Sequence, residues 1–73
     1  MNQREIRIGQ KYRHFKGKEY QVLHLARHSE TMELMVVYRA LYDDYGIWVR
    51  TLDMFLEQVE INGRFINRFE ELG

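Results

Sequence analysis

Residues 20–42 read YQVLHLARHSETMELMVVYRALY, two apolar segments separated by a polar one, and this stretch decides the fold. Residues 20–28 and 34–42 are dense in valine, leucine and tyrosine, which are common in strands. Residues 29–33 carry hydroxyl and carboxylate groups of the kind that satisfy turn amides. A helix is the competing interpretation of 34–42, but the β-branched pair Val36–Val37 and the flanking turns favour a β-hairpin.

The segments on either side of this hairpin show the same alternation of strands and turns. A strand is predicted over 9–15, followed by a turn at 16–18 in which Gly17 can take a positive φ. The sequence DDYG at 43–46 suits a type I turn, and it precedes a short strand at 47–50.

The C-terminal third adds a helical turn and a second hairpin. Thr51 can cap a helical turn near residues 51–57. Residues 59–61 and 64–69 are predicted strands joined by an Asn-Gly turn. Five to six short strands at hairpin spacing predict one all-β domain over residues 1–73, a small SH3-like antiparallel barrel.

The turn at 29–33 also predicts which residues face each other. One face of the hairpin then becomes apolar and aromatic almost throughout, as a barrel interior requires. The expected pairs on that face are His28–Leu34, Ala26–Val36, His24–Tyr38, Val22–Ala40 and Tyr20–Tyr42.

The next turn is expected to close Tyr42 onto Ile47, which would place Arg39 opposite Arg50 on the other face, beside Trp48. Like charges directly opposite destabilise a sheet. The sequence therefore predicts an offsetting charge there. It is either a nearby acid such as Asp53 or Glu57, or a bound anion or partner carboxylate held by the two guanidinium groups.

Composition excludes several classes of protein. The chain has 73 residues, no cysteine and three histidines, so disulfides and thiolate metal sites are excluded and a structural zinc site is not expected. Its apolar segments are far shorter than the roughly 20 residues of a membrane helix. The first residues do not resemble a signal peptide. We therefore expect a cytoplasmic protein without a metal, a cofactor or a membrane partner.

The net charge of zero hides an asymmetry along the chain. Residues 1–18 carry six basic side chains and one acidic one, whereas residues 19–73 carry five basic and ten acidic ones. Two solvated ends that attract each other explain this distribution. A basic edge for phosphates is the alternative, although nucleic-acid-binding domains usually have a net basic charge.

Several multi-residue blocks, in order along nearly the whole chain, resemble a bacterial family of uncharacterised domains called DUF1653. The blocks are Tyr12-Arg13-His14-Phe15-Lys16-Gly17 with Tyr20 and Val22, Ala26 with His28-Ser29-Glu30-Thr31 and Glu33, Val36-Val37-Tyr38, Leu41-Tyr42, Trp48-Val49-Arg50, Met54-Phe55 and Arg68-Phe69. Thr51 departs from the family, which usually has proline after the Trp-Val-Arg block. The resemblance implies an SH3-type barrel and no established activity.

A non-catalytic binding module is the first functional hypothesis. Its ligand would be a protein segment or a small anionic group, because exposed aromatic and arginine side chains are typical of interaction hot spots. The exposed edge strand of such a barrel could also pair two chains, so the protein is expected to be a monomer or a homodimer. The candidate ligand-binding residues are Tyr12, His14, His28, Arg39, Trp48 and Arg50.

Two other hypotheses stay open. RNA or single-stranded DNA could bind along the basic edge of residues 4–18 and stack on Tyr12, Phe15 and Trp48. An enzyme would use His14, His28 and Glu30 as acid–base groups. A pairing of His28 with Ser29 is disfavoured because neighbours in a strand point to opposite faces. A shared metal is disfavoured because His24 and His28 would lie about 13 Å apart in a strand.

Overall fold

The computed structural model describes residues 6–73, in which seven strands and one short helix alternate. Five strands form an antiparallel sheet in the order β4-β3-β2-β1-β7, and β5 and β6 form a separate hairpin. No helix in this part of the chain has the length and apolar character needed to cross a bilayer. The bounds are β1 Lys11–His14, β2 Glu19–Arg27, β3 Leu34–Ala40, β4 Ile47–Thr51, α1 Leu52–Phe55, β5 Gln58–Ile61, β6 Arg64–Asn67 and β7 Phe69–Glu71.

The predicted all-β class, the antiparallel pairing and the helical turn are confirmed, but the barrel does not close within residues 6–73, where β4 and β7 remain edges. Arg68 interrupts the strand expected over 64–69. Its carbonyl accepts a hydrogen bond from the Phe15 N–H at 2.9 Å, and its own N–H donates to the Glu57 carbonyl at 3.0 Å. The last segment is therefore divided between the β5–β6 hairpin and the main sheet, which gives seven strands instead of five to six.

Local turn chemistry follows the sequence closely. Gly17 has a φ of 106°, which glycine adopts without steric cost. Asn62 and Gly63 have φ values of 52° and 79°, as a two-residue type I′ hairpin turn requires. The Thr51 hydroxyl accepts a hydrogen bond from the Met54 N–H at 3.1 Å and caps α1. These three predictions are confirmed.

The core lies on one side of the five-stranded sheet, which we call the inner face. It consists of apolar side chains from four of its strands and of Phe55 from α1, whose ring stacks on Phe69 at a centroid distance of 4.2 Å. α1 therefore closes the inner face at its centre. The buried residues are Tyr12, Val22, Val36, Tyr38, Ala40, Phe55 and Phe69.

The predicted register between β2 and β3 is wrong for two reasons: the turn closes His28 onto Glu33 instead of Leu34, and a β-bulge shifts the pairing by one further residue. Val22 pairs with Tyr38 and His24 pairs with Val37, so the alternation of faces is interrupted at Leu23. A bulge inserts one extra residue and inverts the sides of all residues beyond it. His24 and Ala26, which were expected inside, are therefore exposed.

The predicted register between β3 and β4 is wrong by three residues. Arg39 pairs with Ile47, and Arg50 pairs with Val36. The Ala40 N–H donates to the Gly46 carbonyl, so residues 41–45 form a loop one residue longer than the expected turn. The positive φ values of Asp43 and Tyr45, 52° and 57°, are not those of a type I turn. Arg39 and Arg50 consequently lie on opposite faces of the sheet, and the predicted like-charge pair does not form.

Candidate functional site

Polar side chains gather around the ring of Phe69 on the inner face. The ring centroid lies 5.0 Å from that of His14 and 5.7 Å from those of Tyr20 and Tyr38. The guanidinium carbon of Arg50 lies 5.7 Å from the same centroid. We call these five residues the Phe69 cluster. β1, β2, β3, β4 and β7 each contribute one residue to it, so the whole sheet fixes its geometry.

The tyrosines of the cluster present their hydroxyls to polar partners. The Tyr20 and Tyr42 hydroxyls lie 2.6 Å apart, and the Tyr38 hydroxyl accepts a hydrogen bond from Arg50 Nε at 3.0 Å. Burial, together with the hydrogen bond to Tyr42, raises the pKa of Tyr20 to about 12. Tyr20 therefore remains a neutral hydroxyl and a potential donor at neutral pH.

His14 is held as a neutral imidazole. Its Nδ1 accepts a hydrogen bond from the Lys16 N–H at 3.2 Å, which leaves the proton of the neutral ring on Nε2. Burial lowers the pKa of His14, and the positive charges of Arg50, Arg68 and Lys16 lower it further. The surroundings of His14 are thus electropositive.

Arg50 carries the site's fixed charge without an internal counter-charge. Among residues 6–73 the ion pairs are Arg13–Glu19 at 3.2 Å and Arg68–Glu57 at 3.1 Å, and neither involves Arg50. Of its guanidinium nitrogens, Nε donates a hydrogen bond to the Tyr38 hydroxyl. Its remaining guanidinium donors, which form a planar fork, are therefore available to a ligand.

A cleft of about 320 Å³ adjoins the His14 end of the cluster. It lies where β1, β6 and β7 meet, and it is large enough for a small ligand. Its walls combine apolar and charged side chains, so the region next to His14 can hold both parts of an amphipathic molecule. The lining residues are Arg13, His14, Phe15, Ile66, Asn67 and Glu70.

The structure brings together three of the six predicted ligand-binding residues. His14, Trp48 and Arg50 lie on the inner face, and Trp48 is 58 % exposed on the strand that carries Arg50. Tyr12 is on this face but buried against Phe55, with ring centroids 5.2 Å apart. Arg39 lies on the opposite face. The expectation of a single open face that includes Tyr12 and Arg39 is therefore wrong.

His28, the sixth predicted residue, organises the β2–β3 turn. Its Nδ1 accepts hydrogen bonds from the N–H groups of Glu30 at 3.1 Å and Thr31 at 3.3 Å. The Thr31 hydroxyl also accepts one from the Glu33 N–H at 3.2 Å. A turn is confirmed here, but it closes one residue earlier than expected, because the His28 N–H donates to the Glu33 carbonyl at 2.8 Å.

The three residues proposed for acid–base chemistry are not brought together. His14 and His28 lie near opposite ends of β2, and an extended strand of that length separates them by about 30 Å. Glu30 lies in the turn beside His28. Within residues 6–73, no group of three or more metal-ligating side chains converges.

Sequence reasoning missed the roles of Tyr20, Tyr38, Tyr42 and Phe69, because it assigned the tyrosines only to an apolar interior. The available signal was chemical, since a buried tyrosine hydroxyl needs a hydrogen-bond partner. Three tyrosines on one predicted face therefore indicated polar groups at that face as well.

Comparisons with known proteins agree with this fold. A family described as "Protein of unknown function (DUF1653)" matches residues 10–71. The chain is also similar to a crystal structure of a DUF1653 protein from Bordetella bronchiseptica, with 39 % identity and a TM-score of 0.81 over 94 % of this chain and 90 % of that one. No curated protein matches. The chain, with the motif blocks and the sheet described above, thus belongs to the DUF1653 family.

Proposed function

We propose that this protein is a small non-catalytic binding domain that recognises an anionic group, a carboxylate or a phosphate, at the Phe69 cluster. The observation that carries the proposal is Arg50. It is a guanidinium held by Tyr38 and Phe69 and has no carboxylate partner in the described part of the chain. An arginine whose orientation is already fixed loses little conformational entropy when it binds an oxyanion.

The neighbours of Arg50 favour an oxyanion over a neutral ligand. The His14 ring presents Nε2–H as a donor, and Tyr20 remains a hydroxyl at neutral pH. The pKa of His14 is already lowered by burial and by the adjacent cations, so a bound anion would relieve an unfavourable field. Donors and positive charge thus act in the same direction.

Binding can be followed with the protein's own fluorophore. Trp48 is the one tryptophan of the chain, and it lies two residues from Arg50 on the same strand. We expect inorganic phosphate, and separately acetate, to give a saturable change in Trp48 fluorescence. Arg50→Gln should weaken this binding about tenfold or more, because hydrogen bonds to charged groups contribute about 1.5–3 kcal/mol.

Arg39→Gln is the matched control, since Arg39 lies on the opposite face of the adjacent strand. It should leave the affinity unchanged. Equal losses in the two variants, or no saturable response to either anion, would contradict the proposal. Phosphate and acetate differ in charge and size, so their relative affinities assign the class of anion.

A pH-dependent stability is expected from His14. Because its pKa in the fold lies below the ordinary value of 6.5, the folded protein binds fewer protons than the unfolded chain as pH falls. This contribution is present above pH 6.5 and is lost progressively below it. Chemical denaturation between pH 7 and pH 5 should show a smaller fall in unfolding free energy for His14→Gln than for the parent.

The exposed His24 provides the control for this measurement, and His24→Gln should retain the parental pH dependence. Glu70 lines the cleft with His14, so Glu70→Gln is measured in parallel. A bound phosphate should raise the pKa of His14 in an NMR titration. An unchanged pKa in saturating phosphate would separate His14 from the anion site.

Single-stranded nucleic acid is the second candidate, and the exposed Lys11, Lys16 and Lys18 favour it. Arg13, however, is paired with Glu19, and the buried Tyr12 ring cannot stack on a base. A mixed oligonucleotide whose affinity falls steeply with salt would support this candidate. Binding that persists in Arg50→Gln but is lost in Lys16→Gln/Lys18→Gln would favour it over the anion site.

A further inference from the structure

The edge strand β4 exposes three consecutive apolar side chains. Ile47 is 55 %, Trp48 58 % and Val49 57 % exposed, and β4 is the terminal strand of its sheet among residues 6–73. Edge strands are usually protected by lysine, proline or a bulge, because their free N–H and C=O groups attract another strand. The Ile47–Trp48–Val49 stretch has none of these devices.

The backbone orientation of β4 follows from two hydrogen bonds at the end of β3. The Ala40 N–H donates to the Gly46 carbonyl at 2.9 Å, and the Leu41 N–H donates to the Glu19 carbonyl at 3.0 Å. Hydrogen-bonding direction alternates along an antiparallel strand, so Trp48 and Arg50 direct their N–H and C=O groups toward β3. Ile47, Val49 and Thr51 direct theirs away from the sheet.

We propose that a second copy of this chain adds its own β4 antiparallel to this edge, with the two-fold axis at Val49. In that register Val49 faces Val49 of the second copy, and Ile47 faces Thr51. These are the residues with outward-directed backbone groups, so every free group of β4 finds a partner. Both copies use the same strand about a two-fold axis. Such an isologous contact is complete with two copies and does not extend into a chain of molecules.

The side chains of β4 are self-complementary in the same register. Trp48 faces Arg50 of the second copy on the inner face, a cross-strand cation–π pair. The two Arg50 side chains are therefore not opposite each other across the axis. No acidic side chain lies on the strand. This match of the strand to itself selects a second copy as the occupant rather than an unrelated chain.

The dimer also bears on the anion site, although it does not depend on that site. Arg50 belongs to the Phe69 cluster, and Trp48 of the second copy would lie beside it. The second copy thus contributes an aromatic wall to the site of its partner. A ligand with a ring next to its anionic group would gain contact area from this wall.

Single-cysteine variants test the register directly, because the chain contains no cysteine of its own. Val49→Cys should form a disulfide-linked dimer under mild oxidation, since directly opposed residues have Cα atoms about 5.5 Å apart. Ile47→Cys is the matched control, on the same strand and equally exposed. In the proposed register the two Ile47 positions are offset by four residues, about 13 Å along the strand, so it should remain monomeric.

The contradicting outcomes are equally specific. Cross-linking of Ile47→Cys alone would place the axis elsewhere and overturn the register. Equal cross-linking of both variants would indicate random collisions. A protein without cysteine that sediments at 9.0 kDa over the whole dilution series would overturn the dimer.

A charge at the axis gives a second, independent test. Val49→Lys places two ammonium groups opposite each other, and we expect the sedimenting mass to fall from that of a dimer to that of a monomer. Phe65→Lys, at a 66 % exposed position of the separate hairpin, should remain a dimer. Phosphate binding is measured on the monomeric Val49→Lys variant as well. Binding that persists shows that the anion site does not need the dimer, so the two proposals can fail separately. If Val49→Lys remains a dimer, the interface is elsewhere.

Discussion

Phe69→Ala is expected to remove most of the free energy of folding and to lower the urea midpoint of unfolding strongly. The Phe69 ring is 1 % exposed and stacks on Phe55 at 4.2 Å, with an angle of 3° between the ring planes. Truncation of a buried phenylalanine to alanine costs about 3–5 kcal/mol. Domains of this size have total stabilities near the lower end of about 5–15 kcal/mol, so this loss removes most of the folding free energy.

The measurement is urea denaturation followed by circular dichroism, with Phe65→Ala as the matched control. Phe65 lies four residues earlier but is 66 % exposed, so its truncation should change stability by less than about 0.5 kcal/mol. Phe69→Leu should remain folded and still lose the ring faces that His14 and Arg50 contact. Comparable destabilisation by Phe69→Ala and Phe65→Ala would show that the inner face is not the core.

The same ring explains why the fold and the site cannot be separated in this molecule. Phe69 supports α1 through Phe55 on one side and is surrounded by His14, Tyr20, Tyr38 and Arg50 on the other. A small domain has few buried side chains, so the residues that fix the functional groups are also those that stabilise the sheet. Variants that remove polar atoms while keeping volume are therefore the informative ones for function.

Features governed by neighbouring residues were predictable from the sequence. The Asn62-Gly63 turn, the positive φ of Gly17 and the Thr51 cap each depend on one or two side chains acting on an adjacent backbone. The strand identity of 34–40 followed from the Val36–Val37 pair, since β-branched residues fit a pleated surface.

Features governed by distant residues were not predictable. The bulge at Leu23 inverts the faces of His24 and Ala26, and no glycine marks its position in the sequence. The connection between β3 and β4 is longer than its turn signal implies, because Leu41 bonds to the Glu19 carbonyl instead of extending β3. The bulge lies in β2, and the β3–β4 connection depends on a hydrogen bond to β2, which is distant from that connection in sequence.

These two register changes determined the outcome for the candidate site. The three-residue shift of β4 moved Arg50 to the inner face and left Arg39 on the other. The arginine pair that was one of two alternatives in the sequence does not form, and Arg50 lies instead beside a histidine and tyrosines. Which of these side chains lie together therefore depends on the register, which the sequence did not predict.

Proline substitutions in β4 should have very different effects at two adjacent positions. Trp48 directs its N–H toward β3, so Trp48→Pro removes a ladder hydrogen bond and leaves the Tyr38 carbonyl without its donor. The expected cost is about 1–3 kcal/mol beyond that of Trp48→Ala. Val49 directs its N–H away from the sheet, where proline is tolerated in an edge strand, so Val49→Pro should unfold at nearly the same urea concentration as Val49→Ala.

Both prolines impose the same φ near −65°, so backbone strain is common to the two variants and the difference isolates the direction of the N–H group. The comparison is made at concentrations where the parent is monomeric, because the dimer would itself stabilise β4. Since Val49→Pro removes a donor at the proposed two-fold axis, it should then fail to dimerise at high concentration while remaining folded. A greater loss of stability for Val49→Pro than for Trp48→Pro would reverse the assigned orientation of β4. The backbone groups of Val49 would then already be bonded to β3, and a dimer centred on Val49 could not form.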